Sequence, residues 1–87
     1  MIALLLMLAC ASPDYADGYD AACEFVQAGA EQTALEDAAA CNPSPATQEC
    51  FHPDPSSEYG AGWLDGCGEC FAATYEVVKA EAWDCEG

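Results

Sequence analysis

Eighty-seven residues suffice for one small domain, and seven of them are cysteine, a density that points to a disulfide scaffold in an oxidising compartment. Sixteen acids stand against a single base, Lys79, for a formal charge of −15. That charge excludes nucleic acid as a partner, because phosphate binding runs on Lys and Arg, and it opposes electrostatic attachment to anionic lipid; a basic protein is the partner it admits.

In chain order, the first element is the unbroken apolar run from Ile2 to Ala9. A membrane span needs roughly twenty such residues, whereas a signal-peptide core needs about 7–15. At Ser12-Pro13-Asp14 the composition changes abruptly to a polar, acidic chain. The stretch Met7-Leu8-Ala9-Cys10 resembles the bacterial lipoprotein signal, in which a small residue precedes a cysteine that becomes the lipid-modified N-terminus. The resemblance covers residues 1–10 alone. It implies diacylation of Cys10 and a membrane tether, two acyl chains being enough for stable anchoring. Ala9-Cys10-Ala11 also fits the A-x-A pattern of ordinary signal cleavage, which would release a soluble, secreted chain beginning at Ser12. Either route removes Cys10 from the pairing pool and leaves an even six: Cys23, Cys41, Cys50, Cys67, Cys70 and Cys85.

The remaining chain, residues 11–87, reads as one cysteine-rich helical domain. Ser12 is a good N-cap and Pro13 suits the first helical position, so a helix is predicted over about 13–40. Tyr15, Tyr19, Ala22, Cys23, Val26 and Ala30 fall on its inner stripe, with Asp17, Asp20, Glu24, Gln27 and Glu31 opposite. Leu35 and Asp37 fall off the pattern, and a kink or break is expected after Ala34. Residues 42–56 hold four of the five prolines and cannot be continuous helix, although Ser44 can cap a short turn reaching Phe51. A second helix is predicted over about 57–83, capped by Ser56 or Ser57. Its inner stripe is Tyr59, Trp63, Gly66, Cys67, Cys70, Ala73, Thr74 and Val77, and its outer one is Asp65, Glu69, Glu76 and Lys79.

The two halves share a pattern. Tyr15, Gly18, Tyr19, Cys23 and Cys41 recur as Tyr59, Gly62, Trp63, Cys67 and Cys85 at a constant offset of 44 residues, which reads as a duplicated unit. Gly18, Gly62 and Gly66 would each cost roughly 1 kcal/mol against Ala inside a helix, which is tolerable where close backbone approach requires them. The fold class expected is therefore all-α: a small, disulfide-stapled antiparallel helical hairpin with internal duplication, following the N-terminal signal segment.

Cys23 and Cys41 are about 27 Å apart along a straight helix, as are Cys67 and Cys85, so neither pair can bond within its helix. A pseudo-symmetric solution is Cys23–Cys85 with Cys41–Cys67 and Cys50–Cys70; a rival is Cys23–Cys70 with Cys41–Cys50. Six cysteines permit fifteen connectivities, and the sequence does not select one.

A metal centre is the competing use of these thiols. Cys50-x-His52 and Cys67-x-x-Cys70 offer a four-ligand set suited to tetrahedral zinc. The plainer reading of His52 is a loop histidine between prolines. The C-x-x-C of Cys67 and Cys70 has the spacing of a redox centre, but Asp65 and Glu69 flank it and suppress a thiolate. Asp14, Asp17 and Asp20 miss the register of a calcium loop. No phosphate loop or nucleophile–base arrangement is present, so no catalysis and no cofactor is expected. Trp83, on the outer side of the second helix, is the aromatic best placed for an external contact. The expected function is that of an acidic extracytoplasmic protein of the cell envelope, lipid-anchored at Cys10 or secreted, acting as a structural or interaction module.

Overall fold

The structure, a computed structural model, describes residues 12–86. Two helices make up its regular structure: α1, Pro13–Ala39, and α2, Glu58–Ala82. Ser12 caps α1 by accepting the Tyr15 N–H at 3.3 Å, with Pro13 at the start where its missing donor costs nothing. Ser57 caps α2 by accepting the Gly60 N–H at 2.9 Å. The expected break after Ala34 does not occur, and α1 stays helical to Ala39. Asp37 is off the stripe because its carboxylate accepts the buried Tyr75 hydroxyl at 2.6 Å. The end of α1 is a Schellman turn: Cys41 N–H reaches the Ala38 carbonyl, Asn42 N–H reaches that of Asp37, and Cys41 takes φ 55°. That left-handed position usually holds glycine; a cysteine there costs roughly 1–2 kcal/mol.

The all-α, disulfide-stapled helix pair is present, but its direction reverses the expectation: the helices run parallel. Ser12 meets Glu58, Tyr15 meets Asp65, Tyr19 meets Glu69 and Cys23 is bonded to Cys70, so partners advance together along both helices. An antiparallel pair would have partners that move in opposite directions. The antiparallel expectation takes the chain straight back from the end of the first helix, but the connection is long enough to return to that helix's start before the second begins. Ala40 to Ser57 can extend to about 60 Å, whereas α1 is about 40 Å long. The segment runs back beside α2 without the short turn expected to reach Phe51.

The contact line explains how parallel helices come so close. On α1 the buried residues are Gly18, Ala22, Val26, Ala30, Ala34 and Ala38, one small or short side chain every four residues. A contact line with a period longer than 3.6 residues drifts around the helix in the sense of a right-handed wrap. At its N-terminal end backbone meets backbone: a Cβ on Gly18 would run into the Tyr59 carbonyl, and one on Gly62 into the Tyr15 carbonyl. These two contacts exchange under the 44-residue offset, Gly18 with Gly62 and Tyr15 with Tyr59, so this end of the pair is related by an approximate two-fold. The tyrosines expected on the inner stripe stand beside the seam, half-buried at Tyr15 and Tyr19 and exposed at Tyr59. Small residues occupy the seam in their place.

Farther along, Cys67, Phe71 and Tyr75 of α2 complete the core with Ala22, Val26, Ala30 and Ala34, and Ala46, Cys50, Trp63, Cys70 and Val78 pack around it. Tyr75 and Lys79 fasten the return segment. Lys79 Nζ donates to the Ser44 carbonyl at 2.9 Å and to the Tyr75 hydroxyl at 3.0 Å, while that hydroxyl donates to Asp37. The only base in the chain thus holds α1, α2 and the loop at one point, in the last turn of α2, where a cation is favoured by the helix dipole.

Two glycine substitutions test this packing. Gly62→Ala should lower unfolding free energy by about 1–3 kcal/mol through overpacking against backbone. Gly29→Ala, where nothing stands within 4 Å of the new methyl, should raise it by roughly 1 kcal/mol through helix propensity. Guanidinium unfolding followed by circular dichroism, with disulfides intact, reads both.

Candidate functional site

The six cysteines among the described residues form three bonds: Cys23–Cys70, Cys41–Cys85 and Cys50–Cys67. Cys23–Cys70 joins the middles of the two helices, as in one of the expected arrangements. The other bonds of both arrangements are corrected. Cys41 takes Cys85 because both follow the ends of parallel helices, and these two residues are equivalents under the 44-residue offset. Cys50 takes Cys67 because the return segment lies along α2 at that height. The bond clamps the loop against the helix about 18 Å along α2 from the Ser44–Lys79 contact that holds its other end.

This pairing removes the metal reading. Cys50 and Cys67 are bonded to each other and Cys70 to Cys23, so His52 has no thiolate beside it to complete a zinc set. Among the described residues no group of three or more His, Cys, Asp or Glu is placed to hold a metal ion. Cys67 and Cys70 are also not bonded to each other, so the C-x-x-C spacing serves two separate structural links. His52 instead takes a local role, its Nδ1 accepting the Asp54 N–H at 3.0 Å. Cys10, the lipid-attachment residue, lies outside the described residues; the other six pair among themselves and leave none for it.

Two surfaces remain as candidates for contact. The first is a ladder of hydroxyl–carboxylate hydrogen bonds along one side of the helix seam. Ser12 donates to Glu58 at 2.6 Å, Tyr15 to Asp65 and Tyr19 to Glu69. The hydrogen bond to Asp65, followed by desolvation and the neighbouring negative charges, pushes the Tyr15 phenol from its ordinary 10.0 up to about 12. Desolvation and the Glu69 charge also raise that of Tyr19. Sequence periodicity put these tyrosines inside and the acids outside, and did not show that they meet.

The second surface is aromatic. The Phe25 and Trp63 rings are 5.4 Å apart, Trp63 and His52 6.1 Å, and His52 and Tyr59 5.8 Å. Phe51, next to His52, is 79% exposed and Phe25 is 69% exposed. Trp83, expected as the principal exposed aromatic, is only 37% exposed and lies beside the Lys79 ammonium. Neither phenylalanine was singled out by sequence, because Phe25 belongs to no stripe and Phe51 lies in irregular chain. At the far end of α2 a groove of about 560 Å³ opens between Pro43 and Pro45 of the loop and Tyr75, Lys79 and Trp83. No helix among the described residues is long and apolar enough to cross a membrane.

Comparison of the chain with family models, curated proteins and solved structures finds no match.

Peptide mapping without reduction should recover the linked pairs 23/70, 41/85 and 50/67; a 41/67 or 23/85 link would refute the parallel arrangement. The ladder predicts an alkaline limit. Because folding raises the Tyr15 pKa, its stabilisation is complete below pH 10.0 and drains away as pH climbs through about 12. Phenolate absorbance should show Tyr15 titrating last, at about 12, and Asp65→Asn should bring its titration back toward the ordinary value.

Proposed function

We propose that this protein is a small, acidic, non-catalytic module of the bacterial cell envelope, tethered through lipid on Cys10 and serving as a rigid structural or protein-interaction element. The observation that carries the reading is cysteine use. Six cysteines close three bonds within residues 12–86, and the seventh stands two residues before the capped start of α1, directly after Ala9. The cysteine left over from these three pairs stands at the junction between an apolar run and a folded domain, where a lipoprotein signal would put it. Three disulfides fit an oxidising, extracytoplasmic compartment, and a core built largely of alanine makes them necessary. Each typically contributes about 2–4 kcal/mol, comparable to the net stability of a domain of this size.

A disulfide-closed scaffold carrying a charge of −15, with no reactive group assembled among the described residues, suits binding rather than chemistry, and its charge favours a basic protein partner. A secreted, soluble form beginning at Ser12 is the second reading, favoured by Ala9-Cys10-Ala11.

Expression of the full chain in a bacterium, followed by intact mass, separates the two. The tethered protein should begin at Cys10, carry the added mass of acyl chains and partition into detergent, and Cys10→Ser should abolish all three properties. A product beginning at Ser12 would establish the secreted form instead.

A further inference from the structure

We infer that the aromatic side formed by Phe25, Phe51, Tyr59 and Trp63 lies against the interface of a zwitterionic lipid bilayer, with the tyrosine–carboxylate ladder turned to water. The inference deepens the tethered reading above and rests on it.

Single exposed apolar side chains are ordinary, but these are clustered and include the two most exposed large hydrophobics of the described chain, at 79% and 69%. Phe25 meets Trp63, Trp63 meets His52, and His52 meets Tyr59. Phe51 stands between Cys50, which is bonded to Cys67, and His52, in the segment that packs along α2 here, and its ring is exposed to solvent. This side comprises α1, α2 and the start of the segment that leads into α2.

Position identifies the occupant. Ser12, where the described chain begins, donates to Glu58, the residue before Tyr59. The chain toward Cys10 therefore leaves from the end that carries the aromatic cluster. From Cys10 to Ser12 is at most about 7 Å of chain, and Phe25 is about 20 Å along α1 from Ser12. With α1 lying along the bilayer surface, a lipid on Cys10 holds this side at headgroup depth, where amphipathic aromatic rings are favoured.

Charge supplies the orientation. Asp65 is about 200° around α2 from Trp63, and with Glu69 it takes the tyrosine hydroxyls on the other side of the seam. Turning the aromatic side to the bilayer keeps those carboxylates in water. A chain of charge −15 is repelled by anionic lipid, so the contact selects zwitterionic headgroups. The groove at Pro43, Pro45 and Trp83 lies at the opposite end of α2, beyond the reach of this contact.

The two tryptophans provide the test, since they are about 30 Å apart along α2. The full-length acylated chain is purified from membranes and placed in phosphatidylcholine vesicles with brominated acyl chains. Trp83→Phe leaves Trp63 as reporter, and Trp63→Phe leaves Trp83. Trp63 emission should fall at least about two-fold relative to unbrominated vesicles and shift to the blue, while Trp83 emission stays constant. The double variant Phe25→Ser, Phe51→Ser, whose circular dichroism should be unchanged because both side chains are exposed, should reverse most of the Trp63 quenching. Phosphatidylglycerol vesicles should give less quenching. An acylated chain that floats with vesicles while Trp63 is unquenched overturns the inference and leaves the tether standing. An unacylated chain that still shows quenching on added vesicles supports the surface and removes the tether. An unacylated chain with no quenching overturns both.

Discussion

The backbone contact at Gly18 and Gly62 is the constraint on which the other features depend. Each glycine faces the carbonyl of a tyrosine on the other helix, at a separation that leaves no space for a methyl group. Helices this close cannot place large side chains between them, so the seam below that point is a ladder of alanines with one valine. Such a seam buries little apolar surface per residue, which makes covalent closure necessary for a chain of this length. The same proximity displaces the aromatic residues to the flanks of the seam, where they become surface features.

The parallel direction follows from, and in turn enforces, the unusual connection. A chain leaving the end of α1 has to travel the length of the pair before α2 can begin alongside the start of α1. That journey needs an extended segment, and prolines maintain one at low entropic cost. The segment is secured at three heights: by Ser44 on Lys79, by Cys50 on Cys67 and by His52 and Asp54 beside Gly60. It thereby becomes a third layer, covering Cys67, Phe71 and Tyr75 on the side of α2 away from the bare seam. The result is a molecule with two unlike sides. One carries hydrogen-bonded tyrosines and carboxylates; the other carries exposed rings.

The cysteines show how sequence and geometry divide the work. Their even number without Cys10, the exclusion of bonds within a helix and the disulfide class itself were all legible from count and spacing. The pairing was not, because it depends on helix direction. Reversing one helix parts Cys41 from Cys85 and sets each beside another cysteine without changing any local propensity. The offset of 44 residues held a clue, since equivalents in parallel repeats lie side by side. Cys41 and Cys85 are such equivalents, and they are bonded. His52 illustrates the opposite case, a residue whose metal-like spacing dissolves once its neighbouring sulfurs are bonded elsewhere.

Local signals determined what local physics controls. Ser12, Pro13 and Ser57 set the helix starts, the prolines set the break between helices, and alternating acids and small residues set an amphipathic outline. The apolar run and Ala9-Cys10 set the expectation of export before any folding is considered. Tertiary structure decided what depends on partners distant in sequence: the parallel direction, the disulfide map, the burial of small residues in preference to tyrosines, and the meeting of Tyr15 with Asp65. It also left Phe25 and Phe51 in the open. Periodicity reports one face of one helix at a time, whereas these outcomes depend on how closely two backbones approach, and glycine opposite a carbonyl sets that distance here.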